Sequence, residues 1–372
     1  MARLRLPPPA SLLAFSVVFH AAVLALAAAA VVAPPPVDLV WPTPNTAWQE
    51  GQPITAFIQP TASGKPESGL FGGVRSEGRQ FHEGIDLLPL TRDRRREPAD
   101  KIHAAMPGIV RHVSTNAGNS GYGRYIVIEH DTVTPAVYTL YAHLSATAPG
   151  LDAGARVQAG QVIGTMGRSA GGYTIPRERA HLHFEIGLMI TRDFQAWYDS
   201  KKFGNPNRHG IWNGLNLMGI DPLAVYTAFR EGQTGSFDAY FSRMQPVARV
   251  RIATPRIPDF AERYPTLLRQ PLPASGLAGW DVLVDWTGLP FALTPLTVSG
   301  VLGWLPGEVR LLDVDAAIVA RERSKPTVVK QHDNWRPGRA LETTLQQLFG
   351  QHAPAAASGG GKEGICDEEA AP

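Results

Sequence analysis

The chain has 372 residues, 44% of them hydrophobic, with 37 Gly, 32 Pro and a formal net charge of +2. That length has room for two domains, and the Gly and Pro content favours turns and short strands over long helices. The small charge gives no support to a nucleic-acid partner, and the single cysteine, Cys366, excludes an intramolecular disulfide and a thiolate metal cage. Any metal must be held by His and carboxylate.

At the start of the chain, Arg3 and Arg5 precede an apolar run, Leu12–Ala33, fenced by prolines at 7–9 and 34–36. A basic start before an apolar run reads as an export signal. The run is also long enough to span a bilayer as a retained anchor, with the two arginines on the cytoplasmic side. Both readings of residues 1–33 send the rest of the chain across the inner membrane, to the periplasm or envelope. Residues 34–66 read as a linker with leading strands.

From 67 to 226, short β-like runs alternate with Gly-containing turns: Gly108–Val113, Tyr125–Glu129, Ala136–His143, Gln161–Thr165 and Ala180–Leu188. The absence of helical periodicity predicts a compact antiparallel all-β domain. Two stretches interrupt it, the charged insertion "TRDRRREPADK" at 91–101 and a loop-like insertion at 191–216; "GIDPLAVY" at 219–226 closes the domain. Residues 227–350 read as a smaller α+β region with a short helix over Ala340–Phe349, and the polar tail 351–372 as disordered. The fold class expected is therefore mainly β, with a smaller C-terminal α+β region.

Three segments carry chemistry. In "AHLHFEIGL" (180–188), period-two alternation puts His181, His183 and Glu185 on one strand face and Leu182, Phe184 and Ile186 on the other. In "FHEGIDLL" (81–88), His82 and Asp86 flank Gly84, and Pro89 follows, which disfavours a helix. In "VYTLYAHLS" (137–145), alternation puts Val137, Thr139, Tyr141 and His143 on one face. His82, Asp86, His143, His181 and His183 suit zinc hydrolysis. Such a site takes three imidazole or carboxylate ligands and leaves a fourth position for water. Its metal lowers the water's pKa from about 16 to about 7, and the two remaining histidines can move protons or hold an oxyanion.

The order and setting of these segments resemble a known family. "FGGVRSEGRQFHEGIDL" (71–87), "GYGRYIVIEH" (121–130), "YAHL" (141–144), "GARVQAGQVIGTMGRSA" (154–170) and "HLHFEI" (181–186) are similar, in order, to the LytM/lysostaphin-type (M23 family) zinc metallopeptidases. The resemblance implies an antiparallel β fold with a zinc site in a groove. It implies His82, Asp86 and His183 as zinc ligands, His143 and His181 as catalytic histidines, and peptide cross-links of bacterial peptidoglycan as substrate. Two departures stand out: the 91–101 insertion, and a link before the HxH pair (168–180) longer than the family's usual one.

Other residues carry weaker readings. Arg177 and Arg179 are candidates for a substrate carboxylate, or for a solvated loop. Glu185 either orients a ligand histidine through its second nitrogen or faces solvent. His103, His112 and His130 are expected at the surface, and His209 in a loop. One alternative function is an exported regulator that binds or activates another wall hydrolase. Another, a biotinyl- or lipoyl-like carrier suggested by "GARVQAGQVIG" (154–164), lacks an acceptor, since 102–200 contains no lysine.

Overall fold

Strand Leu182–Met189 is the centre of the molecule, and all eight of its residues are buried. An antiparallel strand buried on both faces needs neighbours on both sides and layers above and below. Tyr138–Ala142 lies along one edge, and Ile85–Leu87 and Leu217–Ile220 share the other. The sheet continues outward from Tyr138–Ala142 through Tyr125–Glu129 and Gly108–Ser114 to Arg156–Val157. All these pairings are antiparallel, so the chain is mainly antiparallel β with few helices, as its turn-rich composition predicts. The computed structural model describes Val37 and residues 39–350. The expected export or anchor segment (1–33) and disordered tail (351–372) lie outside the described residues. Among those described, no helix is long and apolar enough to cross a membrane.

Alternation along the central strand sorts its side chains as expected. Leu182, Phe184, Ile186 and Leu188 join one continuous core, where Phe184 meets Tyr141 and Tyr226. His183 and Glu185 take the other face. Helix Pro222–Arg230 follows the edge strand; Asp221 caps it by accepting from the amides of Leu223 and Ala224, with Pro222 in its first turn.

Residues 227–350 form a four-stranded antiparallel sheet, ordered Pro290–Thr297, Leu277–Val284, Ala248–Ile252 and Val309–Val314, with helix Arg339–Phe349 packed nearby. Apolar residues of this sheet share one core cluster with those of the central strand. Polar contacts also join the two parts: Arg263 donates to the carbonyls of Met189 and Ile190, and Gln347 to that of Leu215. Trp286 reaches the hairpin before the HxxxD segment, packing edge-on against Phe71 and Phe81.

Three local expectations change. Residues 39–66 hold a 3-10 turn, Ile54–Ala56, and a single bridge from Ile58 to Leu87 rather than leading strands. Within 191–216, Phe194–Lys201 is a helix; Phe194, Trp197 and Tyr198, at i, i+3 and i+4, bury one face of it. His130 is buried instead of at the surface, and the loop residue His209 is buried too. His130 sits between the Pro107 carbonyl and the Thr139 hydroxyl, and His209 contacts His112 at 3.1 Å. Local polarity marks such residues as surface, and only their distant partners make burial affordable.

Candidate metal centre

The register of the central strand builds the site. His183 stands directly opposite Asp86 across one strand pair and opposite Ala142 across the other. His82 enters from strand Gln80–His82, one tight turn before Ile85–Leu87. Gly84 makes that turn feasible, because a Cβ there would stand 2.3 Å from the carbonyl oxygen of Phe184. One ligand atom from each of His82, Asp86 and His183 lies within 4.8 Å of the other two, and all three residues are fully buried.

Neighbouring groups decide which atoms converge. His82 donates its Nδ1–H to the Leu70 carbonyl at 2.7 Å, leaving Nε2 as an acceptor. His183 donates from Nε2 to Glu185 Oε1 at 2.9 Å, leaving Nδ1. Asp86 gives Oδ2 to Arg75 at 2.6 Å and to the Thr61 hydroxyl at 2.8 Å, leaving Oδ1. The three remaining atoms are 3.0 Å (His82 Nε2 to His183 Nδ1), 3.1 Å (His82 Nε2 to Asp86 Oδ1) and 3.2 Å (His183 Nδ1 to Asp86 Oδ1) apart. Three lone pairs thus meet with no proton assigned between them, an arrangement that calls for a cation. Tetrahedral ligands at about 2.0–2.1 Å from zinc are about 3.4 Å apart, so the donor set and its spacing fit that metal.

The electrostatics agree. Burial first, and then the Arg75 charge, push His82 down to about 4, so its imidazole is neutral at pH 7 and its lone pair available. Burial opposes ionisation of Asp86, but His82, His181 and Arg75 together hold its carboxyl well below the usual range. Glu185 is buried as well. It accepts from Tyr122 at 2.6 Å and Tyr138 at 2.7 Å in addition to His183, so it is the orienting carboxylate and does not face solvent.

His143 and His181 stand beside the cluster with ring centroids 4.7 Å apart. His143 donates from Nδ1 to the Ser169 carbonyl at 2.8 Å, and His181 from Nδ1 to the Arg179 carbonyl at 2.6 Å. Both Nε2 atoms are therefore left for chemistry, that of His181 lying 3.5 Å from Asp86 Oδ1. Burial, followed by His181 and His183, holds His143 well below the ordinary imidazole range. The three ligand candidates have no exposure, whereas His143 keeps 1% and His181 3%.

His143 corrects the alternation argument. Tyr141 lies on the Phe184 face, so simple alternation would carry His143 there too. Instead His143 follows the last residue of its strand and adopts φ +60°, which brings its ring to the face of His181 and His183. A left-handed non-glycine residue is rare and collects at functional sites. Sequence reasoning assigned no role to Arg75, Thr61, Tyr122 and Tyr138. Arg75 lies inside the quoted 71–87 motif, but nothing local marks its pairing with Asp86. Arg177 is bound to Glu97, so it is not the open carboxylate receptor considered from the sequence.

These features define a mainly antiparallel β protein with a buried His, Asp, His donor cluster flanked by two further histidines. Residues 80–193 match the sequence model described as Peptidase family M23. Solved structures similar to the chain include a putative glycyl-glycine endopeptidase lytM from Ruminococcus gnavus, at 30% identity over 28% of this chain and 39% of that one (TM-score 0.23). The catalytic domain of the prophage-encoded M23 protein EnpA from Enterococcus faecalis is 27% identical over 35% of this chain and 80% of its own (TM-score 0.23). The lysostaphin catalytic domain from Staphylococcus simulans is 18% identical over 47% and 95% (TM-score 0.28). The chain thus spans well under half of the Ruminococcus gnavus structure. No curated protein matches it.

Proposed function

We propose that the protein is a zinc-dependent endopeptidase that hydrolyses peptide bonds in bacterial peptidoglycan cross-links. The observation that carries this reading is the convergence of His82 Nε2, Asp86 Oδ1 and His183 Nδ1, each with its other heteroatom already bonded elsewhere. The family match over 80–193 supports the reaction class, and the substrate follows from what that family cleaves.

When bound, zinc supplies a Lewis acid that polarises a peptide carbonyl and acidifies water. The chain's own residues do the rest. His82, Asp86 and His183 hold the ion, and Glu185, Arg75, Thr61 and the Leu70 carbonyl aim them. His143, neutral at pH 7, accepts a proton from the attacking water at Nε2 and returns one to the leaving amine nitrogen. His181 Nε2 steadies the charge that develops on the carbonyl oxygen. We further propose that residues 1–33 direct the rest of the chain across the inner membrane, to the compartment where this substrate lies.

The test is digestion of purified wall sacculi with mass spectrometry of the released fragments, alongside metal analysis. One zinc per chain and cross-link cleavage that disappears in His183→Ala are expected. Protein that carries no zinc and releases no fragment sinks the proposal. The regulator alternative predicts that a metal-free variant still stimulates a separate amidase; an intact donor set favours the enzyme.

A further inference from the structure

The two segments that depart from the family pattern are joined to each other. Glu97, in the second limb of the charged insertion, accepts from Arg168 at 2.8 and 3.0 Å and from Arg177 at 2.8 Å. Arg168 and Arg177 both belong to the long link before the HxH pair. Arg92, from the other limb of the insertion, donates to the Arg177 carbonyl at 2.8 Å, and Arg168 also donates to the Ile175 carbonyl at 3.0 Å. Asp93 holds the insertion in shape by accepting from the amides of Arg95 and Glu97.

What this clasp fixes is a short 3-10 turn, Arg177–Arg179, and the last carbonyl of that turn accepts the Nδ1–H of His181. The turn has no side-chain cap of its own, so its position depends on the contacts made from outside. A path of hydrogen bonds therefore runs from Glu97 through Arg177 and the turn to His181.

We propose that Glu97 is a positioning residue for His181: by clasping Arg168 and Arg177 it holds the Arg179 carbonyl where it keeps the His181 proton on Nδ1 and Nε2 free for the reaction. This deepens the peptidase reading and rests on it for the role of His181. The 91–101 insertion is then a strut of the site and not only a solvated loop. The arginine pair holds the Glu97 carboxyl down at about 2, so the clasp stays charged throughout the working range of such an enzyme. The two-point fork that Arg168 makes with both Glu97 oxygens, with Arg177 added on Oε1, also resists rotation better than a single-point contact.

The experiment uses the full chain, loaded with zinc, as wild type and as Glu97→Gln, Glu97→Asp and Arg168→Gln. Nitrogen-detected NMR of the imidazoles reads the tautomer of His181, metal analysis reads zinc content, and steady-state digestion of a soluble cross-linked wall fragment separates kcat from KM. Wild type is expected to show a single His181 tautomer protonated at Nδ1. Glu97→Gln should give a mixed or exchange-broadened His181 signal, unchanged zinc, and a kcat lower by about tenfold with little change in KM. Glu97→Asp should recover part of both, and Arg168→Gln, which removes two of the three donors, should repeat the Gln phenotype. A sharp Nδ1-protonated His181 signal in Glu97→Gln or Arg168→Gln, with kcat intact, overturns the proposal. If wild type releases no wall fragment, the peptidase reading fails by itself, and the His181 signal still decides whether Glu97 holds that ring.

Discussion

Asp86 turns one carboxylate oxygen toward the histidines and the other toward Arg75, whose Nη2 lies 2.6 Å away in an almost fully buried ion pair. This division of labour explains how an ionised Asp survives at full burial: Arg75 and the Thr61 hydroxyl bind Oδ2, so Oδ1 can remain a pure acceptor. Arg75→Ala should leave Asp86 free to rotate and short of compensation. We expect zinc affinity to fall about 10- to 100-fold and the metal-free protein to lose about 3–5 kcal/mol. Competitive zinc titration and urea unfolding measure the two effects; wild-type zinc affinity in Arg75→Ala would show that the pair is structural only.

Gly84 sits where strand Leu182–Met189 passes closest to the HxxxD turn. An added Cβ meets the Phe184 carbonyl oxygen at 2.3 Å and Glu185 Cγ at 3.0 Å. Gly84→Ala should push His82 and Asp86 away from His183, costing about 1–3 kcal/mol together with most of the bound zinc. Metal content after dialysis and the thermal midpoint test this, and a stable variant with full zinc would refute it.

The left-handed backbone at His143 makes a different prediction. Ala and Gly both remove the imidazole, but only Gly relaxes φ +60° at no steric cost. His143→Gly should therefore be more stable than His143→Ala by about 1–2 kcal/mol, while both lose wall hydrolysis. Paired chemical-denaturation curves give the difference; equal stabilities would mean that the turn after Tyr138–Ala142 rearranges.

Acid should weaken the metal-free fold before its carboxylates titrate. Burial pushes His82, His112 and His130 down to about 4 from 6.5. Between those values the unfolded chain binds protons that the folded one refuses, so stability present above pH 6.5 is lost progressively toward pH 4. Asp285, which burial raises to about 6, works in the opposite direction, as do Glu83 and Asp221, also raised by burial; burial lowers His103, His143 and His209 as well, so the histidines outnumber these carboxylates. Urea midpoints across pH 7 to 4 should fall, and His130→Gln, at a site remote from the metal cluster, should flatten that slope. A midpoint that stays constant or rises on acidification would contradict the burial of these histidines.

Much of the site was legible because its signals are short-range. Alternation in 181–186 requires only a strand, and the structure bears out its two faces, with Glu185 behind His183. Gly84 and Pro89 correctly argued His82 and Asp86 off a helix. Helix Phe194–Lys201 rests on an equally local signal, the i, i+3, i+4 spacing of Phe194, Trp197 and Tyr198, although the surrounding 191–216 stretch looks like a loop. Alternation puts His143 on the wrong face because it assumes a continuing strand, and a single left-handed residue cancels it.

By itself, the order of residues determined that this is a turn-rich, antiparallel β chain and singled out five His and Asp side chains as the candidates for its chemistry. Spacing along a strand and residue type are local properties, readable without neighbours. Only tertiary structure decided which heteroatom each side chain offers, because that depends on the partner held at the other end: a carbonyl of Leu70 for His82, Glu185 for His183, Arg75 for Asp86, and the clasped turn for His181. Those partners reach the site through strand register and loop packing, and a hydrogen bond selects an atom only once both ends have been brought within about 3 Å.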